Sequence, residues 1–151
     1  MREINFFKYQ GTGNDFILIN QMASVYELTN EQIAFVCNRR FGIGADGLMI
    51  IRKHKDYDFE MVYYNSDGKP GSMCGNGGRC IVKFAYDEGF IGNSTRFLAV
   101  DGPHTADLNG DLVTLGMSDV KEINFLEEGR TYELNTGSPH YVTIVDQKEN
   151  L

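Results

Sequence analysis

A cysteine stands where a loop of small residues runs into an apolar segment: Asn65-Ser-Asp67-Gly68-Lys69-Pro-Gly-Ser-Met-Cys74-Gly75-Asn76-Gly77-Gly78-Arg79-Cys80. A sulfur at the start of a helix is surrounded by backbone N–H groups without intrahelical partners and by the positive end of the macrodipole, which favour thiolate over thiol. The same N–H groups can hold a carboxylate. A small residue that only fills the turn before a helix would need no polar company. Asn65, Asp67 and Asn76 instead make the turn look built for a zwitterion beside a reactive sulfur. His140, in Thr136-Gly137-Ser138-Pro139-His140, reads first as a surface residue, but within reach of a thiol its imidazole would change the thiol's proton affinity.

The other cysteines are weaker candidates. Cys80 follows Cys74 with C-x5-C spacing, which is neither that of zinc sites nor that of C-x-x-C redox centres. On a shared helix, six residues turn Cys80 by about 240° and raise it by about 9 Å, so the two thiols face different ways and Cys80 reads as core. Cys37 falls on the packed face of a short helix. Gly42-Ile-Gly44-Ala-Asp46-Gly47 matches G-x-G-x-x-G, but a helix precedes it and a strand follows, the reverse of a dinucleotide fingerprint. It reads as a helix-to-strand turn that needs positive φ.

These groups must be carried by one domain. The chain has 151 residues, 42% of them hydrophobic, enough for one core. A net charge of −7 without a run of Lys or Arg argues against nucleic acid or an anionic membrane as partner and favours a small molecule. The absence of a basic, apolar leader after Met1, and of any apolar run near the ~20 residues of a membrane span, leads to a cytoplasmic expectation. Three cysteines in a domain of this size imply free thiols.

Patterning predicts strands at Ile4–Tyr9 and Phe16–Asn20 around the loop Gly11-Thr-Gly13-Asn14-Asp15, then a helix opened by the capping box Thr29-Asn-Glu-Gln32. Further strands are expected at Leu48–Arg52 and Phe59–Tyr64. The main helix follows Cys74, with Ile81, Phe84 and Ala85 on one face and Gly89 as its stop. Beyond it come strands at Arg96–Val100, Thr105–Leu108, Leu112–Gly116, Thr131–Leu134 and Tyr141–Val145, with Asn109-Gly110 as the centre of a type I′ hairpin. His54 and His104 read as polar turn residues. The expected fold is α+β, a mixed, largely antiparallel sheet curled around one central helix with a second helix outside.

Together these segments resemble diaminopimelate epimerases. The family's active-cysteine signature, N-x-D-G-S-x4-C-G-N-[GA]-x-R, is matched from Asn65 to Arg79 except that Lys69 replaces serine. Gly11-Thr-Gly-Asn14-Asp15-Phe16, Gly42-Ile-Gly-Ala-Asp46-Gly47 and Gly137-Ser-Pro139-His140 resemble the family in the same order. The resemblance implies a reaction without a cofactor, in which two cysteines take and return the α-proton on opposite faces to interconvert LL- and meso-diaminopimelate. Cys74 would be one of them, with Asn14 and Asn65 binding substrate, Gly75 and Asn76 donating backbone N–H groups to its carboxylate, and His140 adjusting a thiol.

The resemblance covers the N-terminal half of a two-domain family, so residues 1–151 are expected to be a single domain that lacks the family's C-terminal domain and its second cysteine motif. That missing domain is the implied partner, the isolated chain is expected to be nearly inactive, and a homodimer through the uncovered face is left open. Gly47 and Ser138 depart from members that have glutamine and asparagine there. The competing readings are another cofactor-independent racemase, such as a proline racemase, and a non-catalytic binding module. Asn76 favours the epimerase, since proline racemases typically carry histidine after Cys-Gly.

Overall fold

The computed structural model describes residues 3–127 and 129–145. These fall into two compact units, divided between Gly116 and Met117.

The first unit is a seven-stranded mixed sheet whose strands lie side by side in chain order: β1 (Phe7–Gly11), β2 (Asn14–Gln21), β3 (Gly47–Arg52), β4 (Phe59–Asn65), β5 (Ser94–Ala99), β6 (Gly102–Asn109) and β7 (Leu112–Leu115). Two neighbouring pairs are parallel, β2 with β3 and β4 with β5; the others are antiparallel. Each parallel pair needs a crossover, supplied by the helices α1 (Asn30–Cys37) and α2 (Gly75–Asp87). β4 runs opposite to β2, while both crossovers step the same way along the sheet. A consistent right-handed crossover then puts the helices on opposite faces.

The side chains record this division. Phe16 and Leu18 of β2 and Met49 and Ile51 of β3 join the core around α2, whereas the alternate residues Ile17, Ile19, Leu48 and Ile50 pack with Ile33 and Cys37 of α1. Both strands are thus apolar on both faces. The sheet curls so far that its two edge strands, β1 and β7, both touch α2, together with β2, β3 and β6. The first turn of α2 sits so low that a Cβ on Gly77 would lie 2.3 Å from Met49, and one on Gly78 2.8 Å from Leu115. Phe84 tilts against Phe7 with centroids 4.8 Å apart, and Phe59 stacks on its register partner Phe97 at 4.9 Å. The expected α+β fold, with one helix enclosed and one outside, is the one observed.

Several local expectations change. The β6–β7 hairpin pairs Asn109 with Leu112, so its central residues are Gly110 and Asp111. Among the described residues only Gly110 of this pair has positive φ, at 61°, the pattern of a type II′ rather than a type I′ turn. His104 is no turn residue. The alternation of β6 turns it inward, 2% exposed, between the Asp101 carboxylate (Nε2 to Oδ1, 2.9 Å) and the Gly116 carbonyl (Nδ1 to O, 2.9 Å). Its ring stacks on Phe97.

The second unit is a three-stranded antiparallel sheet of β8 (Ile123–Glu127), β9 (Thr131–Asn135) and β10 (Pro139–Thr143), in the order β10-β9-β8. β8, exposed at every residue, is a strand that the sequence patterning does not predict. No described helix is long and apolar enough to cross a membrane.

Candidate functional site

The register of the central strands brings chemistry to one end of the first unit's sheet. Gly47 pairs with Phe16 on one side and Asn65 on the other, so the start of β2, the start of β3 and the end of β4 lie together. Thr12 and Gly13, both at positive φ (55° and 84°), turn β1 into β2 and make Asn14 the first residue of the strand rather than part of the loop. After Asn65 the chain doubles back along β4, with the Gly71 N–H donating to the Tyr63 carbonyl at 2.9 Å. It then delivers Cys74 to the start of α2.

Cys74 is the N-cap of α2, as its position before the apolar segment predicts. Its sulfur accepts the Gly77 N–H at 3.4 Å and lies 3.7 Å from the Asn14 Oδ1, a carbonyl oxygen placed to accept the S–H. Among the described residues, the N–H groups of Gly75 and Asn76 make no hydrogen bond, as expected of the first residues of a helix. The other thiols are removed from this setting. Cys37 and Cys80 are 2% and 4% exposed, and burial pushes both thiols up, Cys80 to about 11.

Around Cys74 runs a chain of polar side chains. Arg79 donates to the Asn76 Oδ1, the Asn76 Nδ2 donates to the Asn14 Oδ1 at 3.5 Å, and the Asn14 Nδ2 donates to the Asp46 Oδ2 at 2.7 Å. Asp46 also accepts the Asp15 N–H at 3.1 Å and the Arg39 Nη2 at 2.7 Å. Arg39 and Lys8 each reach Asp15 at 2.7 Å. The Asn14 amide holds the Asp46 carboxyl below its ordinary value, and Arg39, with Lys8, holds Asp15 well below the usual carboxylate range.

The Asp15 shift has a pH signature. A carboxyl with a folded pKa below its unfolded value, about 3.9, adds stability above that pH, and this stability is lost as the pH falls through it toward the folded value. Urea unfolding is expected to show stability declining below about pH 4, with a shallower decline in Asp15→Asn. Identical acid limbs would mean that the pairs persist in the unfolded chain.

Glycine at position 47 has a steric reason. A Cβ on Gly47 would lie 2.5 Å from the Tyr63 ring and 2.6 Å from the Tyr64 carbonyl, and one on Gly71 would lie 2.3 Å from the same ring. Tyr63 is thus seated between two glycines, edge-on to Phe16. Burial, and then the nearby Cys74, push its phenol up to about 12. Gly47→Gln is expected to destabilise the unit by about 1–3 kcal/mol through overpacking, and the share of that cost due to the ring should disappear in a Tyr63→Ala background. Equal costs in both backgrounds, measured by urea unfolding, would remove the ring from the explanation.

Asn14, Cys74 and Asn76 are brought into contact. Asn65 shares their sheet end, but it is exposed, and among the described residues no hydrogen bond joins its side chain to Cys74. His140 belongs to the second unit, where it is exposed on β10 with Nδ1 donating to the Ser138 carbonyl at 2.8 Å. Among the described residues no group of three His, Cys, Asp or Glu is placed to hold a metal ion. Asp46, Arg39 and Tyr63 are the side chains at this end that the residue pattern alone does not single out. Asp46 was visible only as part of a glycine-rich turn.

Known proteins resemble this chain in sequence and in fold. The profile of the family described as diaminopimelate epimerase matches residues 6–121. A diaminopimelate epimerase of Flavobacterium psychrophilum is 49% identical over 146 residues, covering 95% of this chain and 56% of its own length. One of Chlorobaculum tepidum is 40% identical over 147 residues, with 93% and 57% covered. The chain therefore spans a little over half the length of these curated relatives. Among solved structures, a PhzF-family phenazine biosynthesis protein of Bacillus anthracis shares the fold, with a TM-score of 0.68, 14% identity, and 93% of this chain and 55% of that one covered. With its cysteine signature at the start of the enclosed helix and the family profile matched over most of its length, the chain belongs to the diaminopimelate epimerase family.

Proposed function

We propose that the complete protein is a cofactor-independent epimerase that interconverts LL- and meso-diaminopimelate in the cytoplasm, for lysine and peptidoglycan precursor synthesis, with Cys74 as one of its two acid/base groups. The environment of one atom supports this reading most directly. The Cys74 sulfur has a donor on one side, the Gly77 N–H at 3.4 Å, which serves the thiolate. On the other it has an acceptor, the Asn14 Oδ1 at 3.7 Å, which serves the thiol. A group that alternately takes and returns a proton needs a partner for each state.

As a thiolate, Cys74 takes the α-proton. An S–H bond forms as the Cα–H bond breaks, and the electron pair left on carbon spreads into the carboxylate, held by the N–H groups of Gly75 and Asn76. A thiol from the second half of the protein then gives a proton to the opposite face of the carbon. Asn65 and Asn14 bind the substrate. Because the Asn14 amide hydrogens point to Asp46, it offers the substrate an oxygen, an acceptor suited to an ammonium group. His140 tunes the proton affinity of a thiol.

The test is deuterium uptake at the α-carbon of diaminopimelate in D2O, using this chain with a C-terminal half supplied from a curated relative. Exchange is expected with both halves present and not with either alone. If the mixture stays silent while the relative's own two halves exchange, the proposal fails.

A further inference from the structure

We propose that Asp46 and Arg79 are positioning residues: acting from the two ends of the Arg79–Asn76–Asn14–Asp46 chain, they fix the direction of the Asn14 amide and so turn its oxygen toward the Cys74 sulfur. A guanidinium can only donate and an ionised carboxylate can only accept. Two amides strung between them have one orientation that satisfies every link, with each NH2 pointing toward Asp46 and each oxygen toward Arg79. A neutral, ambivalent group at one end leaves the order to the other end, and for Asn14 the near hold is Asp46 at 2.7 Å, while the link from Asn76 is stretched to 3.5 Å. Here neither end is ambivalent.

The carboxylate end is itself anchored. Asp46 accepts from Asn14 and from the Asp15 N–H with one oxygen and from Arg39 with the other, and Arg39 also grips Asp15 through two nitrogens at 3.2 and 2.7 Å. Asp15 in turn receives Lys8 at 2.7 Å. These links join β1, β2 and the segment after α1, so the orientation of one amide beside the sulfur is set by elements on the far side of the sheet end. The chemical consequence falls on Cys74. With its Nδ2 directed to Asp46, Asn14 turns an acceptor to the sulfur, the partner for its S–H. An unpinned amide can present its NH2 to the sulfur, which favours the thiolate.

The importance of this for turnover rests on the reading of Cys74 as an acid/base group, but the orientation can be tested without turnover. The measurement is the rate at which iodoacetamide alkylates Cys74 at pH 7.5, in the 151-residue chain and in Asp46→Ala, Asn14→Ala and the double variant. Buried Cys37 and Cys80 serve as internal controls for loss of structure. Asp46→Ala is expected to raise the rate by about 10-fold, whereas in the Asn14→Ala background it should raise it by no more than about 2-fold, the part owed to loss of a nearby negative charge. A purely structural or through-space role for Asp46 would give the same factor in both backgrounds, and that result overturns the proposal; so does an absence of any effect of Asp46→Ala. If Asp46→Ala exposes Cys37 and Cys80 to the reagent, Asp46→Asn carries the same comparison, because its amide keeps the shape of the carboxylate but both donates and accepts. There the Asn14-dependent increase is expected to be about 3-fold, and equal factors with and without Asn14 again reject the assignment. A failure of deuterium exchange in the reassembled enzyme would leave these rates untouched, so the two ideas fail separately.

Discussion

Cys74→Ala is expected to lower α-deuterium exchange in the reassembled two-half enzyme by at least about 1,000-fold, the loss typical when one member of a paired acid/base system is removed. Alanine keeps the β-carbon and takes away the sulfur that sits between the Gly77 N–H and the Asn14 oxygen. The effect should fall on kcat more than on substrate affinity, since the N–H groups of Gly75 and Asn76 stay in place. Cys80→Ala makes the contrast. Cys80 is 4% exposed and belongs to the core around α2, so removal of its sulfur should cost stability and leave the exchange rate within a few-fold of wild type. Loss of exchange in both variants to the same degree would show that Cys74 is no more than a packing residue.

The largest effect on stability is expected at Phe84. It is fully buried on α2, tilted against Phe7 at 4.8 Å and edge-on to Tyr9 at 5.7 Å. Phe84→Ala should cost roughly 3–5 kcal/mol, read as a shift of the urea midpoint at unchanged slope. The ring holds edge strand β1 onto the helix, and β1 leads through the Thr12–Gly13 turn to Asn14. The cavity therefore loosens the strand that leads to the site as well as the core. A cost below about 1 kcal/mol would mean that β1 collapses onto α2 without the ring.

The parts of the fold that could be read from the sequence are those where local chemistry and tertiary packing agree. Thr29 and Gln32 form the capping box their spacing predicts, and Gly89 ends α2 at φ 74°. The cysteine signature places its sulfur at a helix N-cap because loop and helix are adjacent in sequence. Features that depend on distant partners were hidden. His104 is polar by type and buried only because Asp101 and Gly116 meet its two nitrogens. The pairing of Asn14 with Asp46 spans 32 residues and follows from the parallel register of β2 and β3, which no local pattern encodes. Tyr63 looks like any strand aromatic until Gly47 and Gly71 are seen against its ring.

That seat of the ring between two glycines also bears on how such a site can change over generations. A lineage that carries Tyr63 cannot take a larger residue at position 47 in one step without overpacking, and one that first loses the ring leaves a partly empty slot beside Phe16. Loss of the ring relieves only part of the crowding, because the Tyr64 carbonyl stays 2.6 Å from a Cβ at position 47, so a larger residue there also needs β4 to shift. What residue 63 can be and what position 47 can carry are therefore coupled through one ring and one stretch of backbone.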